Sequence, residues 1–148
     1  MSSWNTSGNS MRSIRLFYNR ELAYFYADHD IKPKEGLELA RRELDYRRDI
    51  YAYDVMAWNL YKNGKAEEAR EAINNALRLG TKDAKLFYHA GMIYHRLGDK
   101  PNAQKYLKSA LETNSHFHIL FADEAARTLK GLEGFEDSAA LHRQTDRK

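Results

Sequence analysis

Residues 87–114 read FYHAGMIYHRLGDKPNAQKYLKSALETN, and the spacing of their apolar side chains decides the fold. Phe87, Ala90, Gly91 and Tyr94 fall at i, i+3, i+4 and i+7, which is one stripe along a helix. Gly98-Asp99 then marks a turn, and Ala103, Leu107 and Ala110 make a second stripe. The stretch also holds His89, His95, Tyr88, Tyr94 and Tyr106, so the first question is whether it is a reactive site or a piece of architecture.

A step of 34 residues towards the N-terminus answers it, because the pattern recurs there. Tyr53, Met56, Ala57 and Leu60 replace the first stripe, Gly64 replaces Gly98, and Ala69, Ile73 and Ala76 replace the second. One further step gives Leu22, Ala23 and Tyr26, with a turn at His29-Asp30. There the second helix fits only when shifted by one residue, through Gly36, Ala40 and Glu43, and Glu43 stands where a small residue is expected. A recurring pair of stripes means helical hairpins stacked on one another. Small residues at Ala57, Gly91, Ala69 and Ala103 let two helices approach closely, and Asp83 and Asp99 are placed to cap the helices that follow them.

These residues carry a resemblance to the tetratricopeptide repeat family. Phe87-x2-Ala90-Gly91-x2-Tyr94 followed by Ala103-x3-Leu107-x2-Ala110 is similar to its pattern, as is the run from Tyr53 to Ala76. The resemblance covers about residues 16–117, and the usual closing proline is replaced by Thr81 and by Ser115. It implies an all-α fold, an α-solenoid of about three helix-turn-helix repeats at residues 16–49, 50–83 and 84–117. A capping helix is expected at 118–132, on the apolar face of Phe121, Ala125, Leu129 and Leu132. Together these make a repeat domain over residues 11–132, between a flexible leader at 1–10 and a polar tail at 133–148. Ile14, Phe17 and Tyr18 extend the first helix backwards, and no polar cap is evident at that end.

Composition excludes several classes of function. The 148 residues carry a net charge of +3 and no cysteine, so thiol chemistry and disulfides are absent. No apolar run reaches the ~20 residues that cross a bilayer, and the start lacks the apolar stretch of a secretion signal. A cytoplasmic location and no membrane partner are the default expectations. Arg41-Arg42 and Arg47-Arg48 alternate with Glu38, Glu43, Asp45 and Asp49, the pattern of a solvated helix face. His89 and His95 are separated by about 240° of helical rotation, so they cannot share a metal. His116 and His118 flank a turn, with no carboxylate or cysteine at ligand spacing. Nothing resembles a nucleophile elbow, a phosphate loop or an acid–base carboxylate pair, so the chain is read as a non-enzyme without cofactor or metal.

In the family it resembles, the first helix of each repeat lines a concave groove that holds a peptide segment of a partner protein. Carried over by position, the groove would comprise Arg20, Tyr24, Asp54, Trp58, Tyr61, Lys85, Tyr88, Met92, His95 and Arg96, with Lys62 at its edge. Tyr24 and Tyr88 suit either the groove or packing against a neighbouring repeat. Trp58 lies beside a stripe already filled by Met56, Ala57 and Leu60, and is read as groove; on that reading Trp58→Ala lowers partner binding and barely moves the melting temperature. Some family members grip a chain-terminal carboxylate with a Lys-Asn-Asn-Lys-Arg set. The matching positions here hold Arg20, Tyr24, Val55, Lys85 and His89, so both asparagines are missing. Two alternatives stand beside peptide binding: a helical-repeat nucleic-acid binder, disfavoured because the positive residues do not recur at the repeat period, and a scaffold fragment that self-associates through its N-terminal face.

Overall fold

Three residues in the left-handed region of backbone space set the period of the chain. They are Asp30 (φ 54°), Gly64 (φ 75°) and Gly98 (φ 77°), spaced 34 apart. At each one the chain closes the preceding helix with the same pair of backbone hydrogen bonds. Gly64 N–H donates to Tyr61 O and Lys65 N–H to Leu60 O; Gly98 and Asp99 donate likewise to His95 O and Tyr94 O. Asp30 and Ile31 repeat the arrangement with Ala27 O and Tyr26 O. This is the helix-ending motif that glycine favours, since a β-carbon is crowded at positive φ.

The computed structural model describes residue 11 and residues 18–145, with the backbone alone at 135–142 and 144–145. The leader at 1–10, with Ile14 and Phe17, lies outside the described residues. Residues 18–145 form seven helices in order: α1 (18–28), α2 (Pro33–Tyr46), α3 (Ile50–Lys62), α4 (Ala66–Leu77), α5 (Ala84–Arg96), α6 (Lys100–Thr113) and α7 (Ile119–Thr145). There is no strand among the described residues. Helix starts follow from capping chemistry. Asp83 accepts from Leu86 N–H and Asp99 from Asn102 N–H, as the sequence indicates, and Asp49 does the same for α3 through Ala52 N–H. Pro33 and Pro101 sit in the first turns of α2 and α6, where no amide hydrogen is required.

The chain divides into two compact units, Met1–Gly80 and Thr81–Lys148. In the first, Ala23, Ala40 and Val55 form a buried cluster with Tyr24, Leu39 and Met56 against it. The crossing of α3 and α4 is made by buried Ala57, Ala69, Ile73 and Ala76. Asn59, fully buried, donates to Ala23 O and to Val55 O and so ties α3 to α1. Glu43, at the position where a small residue is expected, is buried too and meets Arg20 of α1.

In the second unit, Ala90, Gly91, Ile93, Ala103, Leu107 and Ala110 fill the crossing of α5 and α6. Tyr94 stacks on Tyr106 at 5.6 Å, and burial pushes the Tyr106 phenol above its ordinary pKa. Tyr53 and Phe87, read as core, are half-buried: Arg78 lies over the Tyr53 ring and Phe87 meets Tyr106 at 6.2 Å. α7 buries Phe121, Ala125 and Leu132 and continues as helix to Thr145, past the boundary at 132 where a polar tail is expected. The reason is local. Beyond Leu132 the sequence has no proline and is rich in Glu, Ala, Leu, Arg and Gln, so Gly134 costs too little to stop the helix.

Two glycines are required for different reasons. A β-carbon on Gly91 would come within 2.6 Å of Leu107 Cγ, whereas on Gly98 it would meet nothing but would occupy positive φ. Gly91→Ala is therefore expected to destabilise by about 1–3 kcal/mol through overpacking, less up to ~1 kcal/mol of regained helix propensity. Gly98→Ala is expected to cost about 1–2 kcal/mol through backbone conformation alone. Urea unfolding of both variants, with Leu107→Ala made in wild type and in the Gly91→Ala background, checks this: the second change should cost less stability beside Gly91→Ala than in wild type.

Candidate functional site: the first-helix faces

In the first unit, the polar and aromatic residues of α1 and α3 are bonded to one another. Tyr24 donates through its hydroxyl to Asp54 Oδ2 at 2.6 Å. Trp58 donates its indole N–H to Asp28 Oδ1 at 2.9 Å, and its ring stacks on Tyr61 at 4.9 Å with planes 6° apart. Lys62 lies over the Trp58 ring at 4.9 Å and pairs with Asp30 at 2.7 Å. Trp58 is 1% exposed, Asp54 3% and Tyr61 8%. The expectation that Trp58, Tyr61 and Asp54 face an open groove is therefore corrected: they form the seam between α1 and α3. The indole was read as surplus to a filled stripe, but α1 brings Asp28 within reach of its N–H, and a buried indole with that partner is well placed in a core.

Arg20 is also spoken for. Its Nε donates to Glu43 Oε1 at 2.9 Å, and its Nη2 reaches Asp49 Oδ1 and Oδ2 at 3.0 and 2.9 Å. Partial burial works against the guanidinium charge, but the hydrogen bond to Asp49 and the charges of Glu43 and Asp49 outweigh it and raise the Arg20 pKa. Arg20, expected among the groove residues, instead holds a buried carboxylate. An unpaired Glu43 would carry a heavy desolvation penalty.

The second unit differs. Tyr88, 1% exposed, stacks on Phe121 at 5.0 Å and donates to Glu124 Oε2 at 2.6 Å, so it joins α5 to α7. Met92 is 6% exposed. Lys85 is half-buried at the start of α5, while His95 and Arg96 are exposed at its end, a span of roughly 15 Å at 1.5 Å per residue. His95 lines an open channel of about 360 Å³ with Lys100, Thr128, Gly131 and Leu132. α7 thus contributes residues to the face that sequence reasoning did not assign to it. Gly131 and Thr128, spaced three apart, were the available signal, since small residues on a helix face leave room beside it. His118 caps α7, its Nδ1 accepting from Leu120 N–H at 3.2 Å, and His116 meets Ser115 at 2.9 Å. No group of three potential metal ligands occurs among the described residues. Of the positions matching the carboxylate-gripping set, Val55 and His89 are fully buried.

This geometry, helical hairpins repeated along the chain, defines an all-α helical repeat fold. The chain contains a tetratricopeptide repeat. Residues 84–117 match the family model described as tetratricopeptide repeat. A TPR repeat-containing protein of Methanocaldococcus jannaschii is 27% identical over 105 residues, which is 68% of this chain and 18% of the relative. The chain thus spans about a fifth of that relative's length. Among solved structures, the first TPR domain of human RPAP3 aligns with TM-score 0.65 and 18% identity, over 90% of this chain and 97% of that one. The second TPR domain of the same human protein, in complex with an HSP70 peptide, gives 0.64 and 16%, over 82% and 97%. The yeast Sti1 TPR2AB domain in complex with pHSP90 gives 0.61 and 22%, over 88% and 51%.

Two predictions follow from the seam. Trp58→Ala should destabilise the protein by about 3–5 kcal/mol, read by denaturant titration, because it empties a buried site and removes the indole hydrogen bond to Asp28. Asp49 is partly buried, which alone would raise its pKa. The hydrogen bonds from Arg20 and from the Ala52 and Tyr51 amides, with the Arg20 charge, hold it below the ordinary 3.8 instead. A carboxylate depressed on folding contributes stability that is complete above its unfolded value and is lost as pH falls through its folded value. Below about pH 4, wild type should therefore lose stability more steeply than Asp49→Asn, as measured by unfolding midpoints across pH.

Proposed function

We propose that the protein is a non-catalytic interaction module whose second unit takes a peptide segment of a partner along the channel between α5 and α7. The observation that carries this is the channel itself. Leu132 supplies an apolar wall, His95 and Lys100 stand at its edge, and Gly131 leaves space where a side chain would otherwise fill it. Apolar surface with a few directional polar groups is the composition that recognises a peptide side chain and fixes its orientation. Solved relatives of the same fold are bound to chaperone peptides, which supports a protein or peptide as the partner class.

The chaperone-tail version of this function has little support here. Arg20 is engaged by Glu43 and Asp49, Val55 and His89 are buried, and Lys85 stands at the far end of α5 from His95. The partner on this reading inserts an apolar side chain beside Leu132 rather than a terminal carboxylate into a ring of donors.

Gly131 makes the test clean, because a β-carbon there meets nothing within 4 Å. Twelve-residue peptides selected from a random library on the wild-type protein should lose at least tenfold in affinity for Gly131→Trp, while its melting temperature stays equal or rises. Peptides that bind the variant as tightly as wild type would place the docking surface elsewhere.

A further inference from the structure

A second surface lies in the first unit, on residues that the seam and the channel do not use. Lys34, Leu37, Glu38 and Arg41 fall at i, i+3, i+4 and i+7, so they share one face of α2. Together with Asn63 and Lys65 from the turn between α3 and α4, they line an open groove of about 490 Å³. Leu37, 7% exposed, gives it an apolar contact.

The charges there are unbalanced. Lys34 and Arg41 are exposed and have no ion pair among the described residues. Lys65 has only an exposed contact with Glu68 at 3.7 Å, which is worth little. Glu38, the one carboxylate in the lining, is paired with Arg42 of its own helix. Three cationic side chains thus converge on a groove whose single anion is already compensated, and like charges held together gain from an anionic occupant.

We propose that this groove docks an acidic peptide segment that carries an apolar side chain. Its carboxylates meet Lys34, Arg41 and Lys65, and its apolar side chain meets Leu37. A peptide fits the groove better than a phosphodiester strand does. Leu37 in the lining gives an apolar side chain a contact that a sugar-phosphate backbone has no group to use. Charge complementarity of this kind sets the on-rate and the choice of partner more than it sets affinity, so binding weakens as salt rises.

The experiment uses the full chain and a fluorescein-labelled twelve-residue peptide of repeating Glu-Glu-Leu, followed by anisotropy at low and physiological salt. A Lys-Lys-Leu repeat and a ten-nucleotide oligouridylate serve as competitors. The expected result is saturable binding that weakens at least tenfold in Lys34→Glu/Arg41→Glu/Lys65→Glu, is unchanged in Gly131→Trp, and is not displaced by either competitor. Three results overturn the proposal: no binding of the peptide up to millimolar concentration, equal binding by the triple variant, or tighter binding of oligouridylate. Should the charge-reversed protein melt early, Lys34→Gln/Arg41→Gln/Lys65→Gln replaces it, and the same loss is required. Because the channel variant is assayed in parallel, failure here and failure of the α5–α7 reading give different patterns.

Discussion

The backbone of α5 at Gly91 runs so close to α6 that Leu107 Cγ occupies the space a β-carbon would need. That approach is what makes a hairpin of two helices into a unit with a dry interior. At such a crossing, packing is felt down to a single methyl group, because interiors are as dense as organic crystals. The first unit solves the same problem with alanine at Ala57 and Ala69, and at Gly36 with the side chain of Asn59 filling the place of a β-carbon. Everything else in the fold is arranged around these contacts: turns that reverse the chain at a fixed period, caps that start each helix on time, and bulky rings at the flanks.

Successive first helices are then joined by polar bonds rather than by apolar surface alone. Tyr24 to Asp54, Trp58 to Asp28 and Tyr88 to Glu124 each pair a ring that carries a donor with a carboxylate on another helix. Each bond satisfies a buried group that would otherwise be expensive, and each needs one particular register between the helices. Arg20 with Glu43 and Asp49 does the same with full charges, and adds the start of α3 to the connection. The residue types that suggested a sticky groove are consumed in assembling the protein. On the two readings proposed above, recognition falls to residues at the edges, His95 and Lys100 in the second unit and Lys34 and Arg41 in the first.

The fold was legible because its determinants are local and periodic. Gly64 and Gly98 announce turns by residue type, Asp83 and Asp99 announce helix starts, and the alanine stripes mark crossings at helical spacing. Asp30 was legible only as a turn; that it adopts the left-handed conformation of its glycine counterparts needed the backbone. The site was much less legible. Position along a helix told which residues share a face with Trp58, but not that Asp28, on a different helix, would accept its N–H. Glu43 likewise looked like a packing defect until Arg20 was seen beside it. A side chain's partner across a helix interface depends on the register between helices, and no single-helix pattern encodes that. The channel was missed for the complementary reason, since Thr128 and Gly131 mark it only by being small.

Trp58 also supplies an intrinsic optical label. The only other tryptophan in the sequence is Trp4, so the segment from Thr81 onward contains no indole at all. An indole shut away from water emits at shorter wavelength than a hydrated one, and Trp58 sits against Tyr61 with its N–H held by Asp28. Its emission therefore reports the integrity of the N-terminal half, while tyrosine signals and circular dichroism sample both halves. Whether the two halves melt as one cooperative body or in sequence can be followed without attaching any dye.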